Sequence, residues 1–174
     1  MKLLKILQYP NKNLRKNSKP VKEVNKYIQN IVDQMFYTMI SENGIGLSGI
    51  QVNIPLQIIT ILDTKKFNKK ITIINPKIIK KKKKILKIEG CLSFPNQQAI
   101  VPRYKYLEIE ALNYFGKNIK IYAKSLLSIC IQHEIDHLSG KLFIDHLSTL
   151  KKNIIKKKIE KINKKICKQK LINN

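Results

Sequence analysis

The residues best suited to chemistry lie in "CIQHEIDHLSG" (130–140). His133 and His137 are four residues apart in a segment with helical spacing, so both imidazoles share one helix face and can bind one metal ion. Glu134 can take a proton from water at that ion, and this H-E-x-x-H arrangement is typical of metallohydrolases. Two of the chain's three histidines fall in this motif, which favours a metal site over ordinary helix histidines. His146 stands alone, and we expect it to be a surface or half-buried residue.

A catalytic metal site needs a third protein ligand and an open position for water. Cys91 in "EGCLSFP" (89–95) is a good candidate because it follows a glycine in a polar turn. Asp145 is an alternative, but it lies in a strand-like stretch. Cys130 falls in the apolar stripe of the predicted helix, which indicates a buried structural thiol.

Helices that position these residues are predicted from apolar residues that recur with a period near 3.6. One covers 26–40 and is ended by Asn43 and Gly44. A second covers 125–139 and carries the histidine motif. A third, rich in lysine, begins at Leu150.

Strands are predicted where isoleucine-rich stretches alternate in part, at 56–62, 71–75 and 106–114. "NPKIIKKKKKILK" (75–87) is interpreted as two edge strands around a lysine-rich turn, and Gly116 marks a hairpin turn. Together the elements predict an α+β fold of small, mainly antiparallel sheets around a central metal-binding helix, with a basic C-terminal helix.

The glycines at 44, 46 and 49 match the G-x-G-x-x-G pattern of dinucleotide-binding loops. That pattern needs a strand before the loop and a helix after it. Here the predicted helix comes first and the strand follows, so we expect no nucleotide cofactor. The glycines instead indicate a close approach of the backbone to another group.

The chain has 174 residues and a formal charge of +24. Its length suits one domain, and we expect 1–149 to be catalytic and 150–174 to form a basic helix of the same domain. The charge indicates either a polyanionic partner or a biased composition, since lysine, isoleucine and asparagine are common throughout. The sequence contains no apolar run of membrane-spanning length and no signal-peptide cleavage site. We therefore expect no membrane span and a cytoplasmic protein.

Three motifs occur in a fixed order: "GIGLSGIQ" (44–51), "EGCLS" (89–93) and "HEIDH" (133–137). In these motifs the chain resembles the bacterial peptide deformylases, over residues 3 to about 150. The combination of the last two is specific to that family. Two departures stand out: Ser48-Gly49 replaces the usual Ala-Ala pair, and Gln98 stands where many relatives have arginine.

The resemblance implies one metal ion held by Cys91, His133 and His137, usually Fe(II), with zinc, nickel or cobalt able to replace it. Glu134 would be the general base and would pass its proton to the leaving amine. The substrate would be the N-formyl group on the first methionine of a nascent chain. The products would be formate and a free amino terminus.

Attack on the formyl carbonyl creates an oxyanion, which needs hydrogen-bond donors already in place. The resemblance assigns these donors to the side-chain amide of Gln51 and the N–H of Leu92. The backbone at Ile45 and Gly46 would pair with the extended substrate as an added strand, and a side chain at Gly46 would obstruct that approach. Apolar positions on the predicted helix would form the methionine pocket: Leu126, Ile129 and Cys130.

Charged residues near the motifs are interpreted as supports for the ligands. We expect Glu89 and Arg103 to form an ion pair that holds the Cys91 loop. Asp136 is expected to orient a ligand histidine.

Two alternative functions are weighed: an RNA- or ribosome-binding protein with a structural metal site, and a peptidase using the same helix. A structural site usually has four protein ligands, and no RNA-binding pattern with interleaved aromatic residues is evident along the chain. The peptidase should lack "EGCLS".

In the basic tail, an apolar stripe and many lysines predict contact with the ribosome, while an anionic membrane and composition bias stay open. The stripe consists of Ile155, Ile159, Ile162 and Ile166.

Overall fold

The computed structural model describes residues 2–65 and 68–172, with side chains described up to residue 162. Helices span Lys26–Ser41 (α1), Leu126–Leu138 (α2) and Thr149–Ile172 (α3). Strands span Gly46–Ser48 (β1), Ile58–Asp63 (β2), Lys69–Cys91 (β3), Phe94–Leu112 (β4) and Asn118–Lys124 (β5). The α+β class and the mainly antiparallel pairing predicted from the sequence are confirmed.

The helix α1 forms where the sequence predicts an amphipathic helix. Asn25 caps its start, because the side chain accepts a hydrogen bond from the N–H of Ile28 at 3.2 Å. Met35 and Met39 are fully buried and pack against the sheet. Asn43 then takes a left-handed φ of 55°, which ends the helix and directs the chain into β1.

The described strands form one sheet in the order β1-β2-β3-β4-β5, so the expectation of several small sheets is wrong. A single sheet forms because β3 is long enough to pair with β2 along its first part and with β4 along the rest. Its first part pairs with β2, from Lys69 opposite Asp63 to Ile74 opposite Ile58. Beyond Ile74, β3 pairs with β4. The short strand β1 lies at one edge of the sheet.

The lysine-rich stretch is part of β3, and the turn predicted within 75–87 is wrong. Lys80 lies opposite Glu108, and Lys82 lies opposite Tyr106, in a ladder that continues to Cys91. Lysine is tolerated here because this part of the strand is exposed, and lysine also protects exposed strands from pairing with other chains. Register shifts before residue 80 add a bulge and bend the strand.

The helix α2 is one residue shorter at each end than the predicted 125–139. It packs on the face of the sheet that carries Leu107 and Ala123, here called the inner face. Its buried residue Ile131 belongs to one apolar cluster with Leu107 of β4 and Ala123 of β5. The β4–β5 hairpin turns at Gly116, as predicted, with a φ of 75° that favours glycine.

The segment after α2 forms a 3-10 turn, Phe143–His146, instead of the strand-like stretch expected. Asp145 in this turn bonds Lys152 of α3 at 2.6 Å. Ile155 and Ile159 are buried in a cluster with side chains of β4 and the turn, so the start of α3 is packed against the rest of the protein. None of the described helices is long and apolar enough to cross a membrane.

Candidate active site

The sulfur of Cys91 and the Nε2 atoms of His133 and His137 face one another. Cys91 ends β3, and both histidines lie on α2, one turn apart. His137 Nε2 lies 3.3 Å from Cys91 Sγ and 3.2 Å from His133 Nε2. Ligand atoms at about 2.0–2.3 Å from a tetrahedral ion are roughly 3.3–3.6 Å apart. Because all three atoms lie within 4.8 Å of one another, the donor set fits one metal ion after a small inward shift.

Glu89 holds His133 in the orientation that a ligand needs. Its Oε2 lies 2.9 Å from His133 Nδ1, and its Oε1 accepts a hydrogen bond from Arg103 Nε at 2.7 Å. A proton on Nδ1 leaves the Nε2 lone pair directed at the ligand cluster. The predicted ion pair between Glu89 and Arg103 is present and buried. It was expected to hold the Cys91 loop, but Glu89 directly contacts His133.

Asp136 contacts Arg103 and His146 rather than a ligand histidine. Its Oδ2 lies 2.6 Å from Arg103 Nη1 and 2.7 Å from His146 Nε2. The side chain of His146 is 28% exposed, in line with the half-buried residue expected. Arg103 therefore lies between two carboxylates and links the buried Glu89 to the protein surface.

The pKa of His137 favours a ligand role, whereas His133 must first lose a proton. Burial lowers the pKa of His137 well below its ordinary value, so the neutral ring has a lone pair to offer. Burial also acts to lower the pKa of His133, but Cys91 and Glu89 outweigh it and raise that pKa. Metal binding would therefore displace a proton from His133, as it does for ligands generally. His137 Nδ1 is buried without a hydrogen-bond partner among the described residues.

Glu134 lies beside this cluster, and its side chain is almost fully buried. It is 3% exposed, and burial is the largest cause of a pKa raised to about 7. Its Oε2 has no hydrogen-bond partner within the described part of the chain. A carboxyl group that titrates near neutral pH is suited to taking and returning a proton.

Gly46 makes room for Glu134. A Cβ at residue 46 would lie 2.5 Å from Glu134 Oε1 and 2.6 Å from Cys130 Sγ. Glycine is therefore needed at residue 46 because a side chain would collide with Glu134 and Cys130. The sequence analysis had instead expected a side chain there to obstruct the substrate. Burial raises the pKa of Cys130 well above its ordinary value, so this thiol is neutral, as expected of a structural cysteine.

Gln51 is held with its amide nitrogen toward the ligand cluster. Its Oε1 accepts hydrogen bonds from the N–H of Ser48 at 2.9 Å and from Ser48 Oγ at 2.8 Å. Its Nε2 lies 3.2 Å from Ser93 Oγ and 3.5 Å from Cys91 Sγ. Reversing the amide would place two donors against each other at the Ser48 N–H, so this backbone group fixes the orientation. The sequence reasoning missed Ser48 and Ser93 as supports, although both lie inside the quoted motifs.

A cleft of about 900 Å³ joins these groups. Its walls include the edge strand β1 and the last residues of β3, and Leu92 lies in the turn that follows β3. Leu126 is 41% exposed at the cleft, while Ile129 and Cys130 are buried in its wall. His137 lies behind His133, outside the cleft lining. The other residues predicted to take part in catalysis, substrate binding or metal binding line the cleft: Ile45, Gly46, Gln51, Cys91, Leu92, Leu126, Ile129, Cys130, His133 and Glu134.

The chain matches known proteins along most of its length. Residues 3–153 match the family model described as polypeptide deformylase. A peptide deformylase of Buchnera aphidicola subsp. Acyrthosiphon pisum is 58% identical over 165 residues, which cover 95% of each chain. The crystal structure of a peptide deformylase from Legionella pneumophila is 36% identical, has a TM-score of 0.90, and is matched over 95% of this chain and 98% of that one.

A crystal structure of the Ehrlichia chaffeensis peptide deformylase in complex with actinonin is also similar. It is 34% identical, with a TM-score of 0.88, over 92% of this chain and 98% of that one. These matches do not support the alternative of an RNA-binding protein with a structural metal site. The order of the motifs, the Cys-His-His cluster beside Glu134 and these similarities agree, and the chain belongs to the peptide deformylase family.

Proposed function

We propose that Cys91, His133 and His137 hold one metal ion in this deformylating hydrolase and that Glu134 moves the proton in its reaction. The reaction removes the N-formyl group from the first methionine of newly made proteins. The observation that supports these roles most directly is the convergence of three ligand atoms within 4.8 Å beside a buried glutamate in an open cleft.

The ion, when bound, would supply Lewis acidity that turns water into a nucleophile near neutral pH. Glu134 takes the proton from the attacking water and later gives it to the leaving amine. A carbon–oxygen bond forms at the formyl carbon and negative charge develops on the formyl oxygen; the carbon–nitrogen bond then breaks as the amine receives the proton. Formate leaves, and the peptide keeps a free amino terminus.

Two donors stabilise the negative charge that develops on the formyl oxygen. Gln51 Nε2 is one, because the hydrogen bonds at Oε1 turn the amide nitrogen toward Cys91. The N–H of Leu92 is the other, because Leu92 directly follows Cys91 and lines the cleft. The hydrogen bonds from Ser48 fix the Gln51 amide before the substrate binds, so this donor needs no reorganisation at the moment of reaction.

The edge strand β1 offers a place for the substrate backbone. Ile45 and Gly46 pair with the peptide as an added strand, while the last residues of β3 form the facing wall. The methionine side chain then lies against apolar surface of α2 close to the ligands. That surface consists of Leu126, Ile129 and Cys130.

Fe(II) is the proposed metal, and zinc, nickel or cobalt could replace it. One thiolate and two imidazoles suit both iron and zinc, so the donor set leaves both open. The oxidisable thiolate is common to both forms, but air also oxidises Fe(II) and not Ni(II), so activity of the iron form should fade in air faster than activity of the nickel form. Equal decay of the two forms would count against iron.

The decisive experiment measures formate release from a formyl-methionyl peptide, with metal content determined on the same samples. Glu134→Ala should keep its metal and lose nearly all turnover. Gln51→Leu should keep its metal and lose about 10²–10³ in kcat, as expected for one oxyanion donor. Glu23→Ala, an exposed glutamate on another surface, is the matched control. Parental kcat in Gln51→Leu would return that residue to a packing role.

A cytoplasmic location and contact with the ribosome through α3 are further parts of the proposal. Ile155 and Ile159 of the predicted stripe are buried against the protein, and Ile162 is 40% exposed. Ile166 lies outside the described side chains. Inward packing of the stripe leaves Lys157, Lys158 and Lys161 exposed, where they can contact ribosomal RNA.

Cosedimentation with ribosomes over a salt series tests this contact. Ending the chain at Thr149 would also remove two buried isoleucines, so charge variants are the better probe. Replacing the exposed Lys157, Lys158 and Lys161 with glutamine should weaken binding and leave cleavage of short formyl peptides unchanged. Unchanged cosedimentation at every salt concentration would show that α3 is not the anchor.

A further inference from the structure

The outer face of β3, β4 and β5 places tyrosines next to lysines from neighbouring strands. Tyr106 of β4 lies opposite Lys82 of β3 and Lys124 of β5. Tyr122 of β5 lies opposite Glu108, which itself faces a β3 lysine. Along β5, Lys120, Tyr122 and Lys124 alternate on one face, and strand pairing adds Tyr106 of β4 and the lysines of β3 beside them.

Both tyrosines are available to a partner. Tyr106 is 43% exposed and Tyr122 is 73% exposed. They flank a shallow groove of about 270 Å³, whose floor includes Leu107 and Ala123. Because Tyr106 and Tyr122 occupy diagonal positions on adjacent strands, their Cα atoms are about 7–8 Å apart. This spacing lets each ring contact a different base of an extended strand.

The charge of the face favours a polyanion. Lysines outnumber acids among the cross-strand pairs, and one of the acids, Glu110, is already paired with Lys120 at 3.1 Å. Lys105 Nζ also lies 5.6 Å from the centre of the Tyr106 ring. Lysines on this face are Lys77, Lys80, Lys82, Lys84, Lys120 and Lys124.

We propose that this lysine–tyrosine face binds single-stranded RNA. Exposed aromatic rings on a basic sheet stack on unpaired bases, while lysines contact the phosphates. Duplex RNA hides its bases, so the two tyrosines would gain nothing from it. A membrane-binding face would carry leucine, phenylalanine or tryptophan, whereas the positions paired with Tyr106 and Tyr122 carry lysine and glutamate.

RNA on this face would leave the catalytic cleft free. Neither Tyr106 nor Tyr122 lines the catalytic cleft, and the alternating residues Leu107 and Ala123 are buried in the cluster that includes α2. Substitutions on the face should therefore keep deformylase activity. Retained formate release also serves as the check that each variant is folded.

Fluorescence anisotropy with a labelled single-stranded RNA of about 12 nucleotides tests the stacking role. In the full chain, Tyr106→Ala and Tyr122→Ala should each weaken binding by about 5- to 100-fold. Tyr27→Ala is the matched control, since Tyr27 is 68% exposed on α1. These changes leave the net charge unaltered, so a basic tail that binds RNA through phosphates alone would not respond. Equal affinity of all three variants would overturn the proposal.

A salt series from about 50 to 200 mM tests the lysines. The double variant Lys82→Gln/Lys124→Gln should reduce the slope of log affinity against log salt by about 1.4, at 0.7 for each contact. Lys16→Gln/Lys22→Gln, at exposed sites elsewhere, should leave it unchanged. Duplex RNA, inorganic polyphosphate and anionic lipid vesicles are the comparison probes. Tyr106→Ala and Tyr122→Ala should weaken binding to single-stranded RNA more than binding to these probes. Equal weakening for all probes would refute base stacking.

Discussion

Gly46→Ala should reduce turnover sharply without removing the metal. The new Cβ would lie 2.5 Å from Glu134 Oε1 and 2.6 Å from Cys130 Sγ, closer than real Cβ atoms come to their neighbours. Both partners are buried on α2, so neither can move freely into solvent. The methyl group must therefore displace either the β1 backbone or the proposed catalytic carboxylate. Either movement changes the position of Glu134 relative to the cleft.

The size of the effect follows from this geometry. Ordinary contact begins at 3.4 Å, so the carboxylate and the methyl group must separate by about 0.9 Å, and a misplacement near 1 Å can cost about 10²-fold in rate. We expect kcat for formyl-methionyl peptide to fall about 100-fold. The ligand atoms at Cys91, His133 and His137 are not among the atoms struck.

Formate release gives kcat and KM separately, and elemental analysis gives the metal content. Gly44→Ala is the matched control in the same loop. Its Cβ would lie 2.7 Å from Leu92 Cδ1, the end of a flexible side chain that can rotate away, and 3.2 Å from the carbonyl of Met39. We expect a smaller loss there. Parental kcat in Gly46→Ala, or a loss that follows missing metal, would contradict the assigned role of Gly46.

Three further predictions concern the ligands and the ion pairs. Cys91→Ala and His137→Ala should each lose bound metal in elemental analysis, and full retention in both would reject the ligand assignment. Glu89→Gln should weaken metal binding about 10- to 100-fold in chelator competition, because the carboxylate 2.9 Å from His133 Nδ1 is lost. Asp145→Asn should lower the free energy of unfolding by about 1 kcal/mol at neutral pH. Burial acts to raise the pKa of Asp145, but hydrogen bonds from two basic side chains outweigh it and hold that pKa below its ordinary value. The ion-pair stability is present above the unfolded pKa of about 3.9 and is lost in acid, so urea denaturation of parent and variant should converge there.

The sequence was sufficient for features that depend on local spacing. Two histidines four residues apart share a helix face whatever the rest of the fold does, and their Nε2 atoms lie 3.2 Å apart. The approach of Cys91 is different, because it is 46 residues from His137 along the chain. Its residue type and polar turn made Cys91 a candidate ligand, and the resemblance between motifs selected it over Asp145.

The sequence was misleading where composition and pairing disagree. Consecutive lysines in 80–84 resemble a solvated turn, yet they form a strand because β4 supplies a partner along the whole stretch. Alternation cannot reveal such a strand when both of its faces are polar. The tyrosines on the outer face were missed because the lysines of β3 come to lie beside them only when the strands pair.

The buried charges around the proposed metal ligands connect helix α2 to the β3–β4 hairpin. Arg103 of β4 is buried between Glu89 of β3 and Asp136 of α2, and Glu89 in turn bonds His133. Breaking such a network leaves an unpaired buried charge, which costs far more than an exposed ion pair contributes. The ligand geometry and the packing of α2 on the hairpin are therefore stabilised by the same contacts. Metal that draws Cys91 and the two histidines together should favour the packed arrangement and add to the free energy of unfolding.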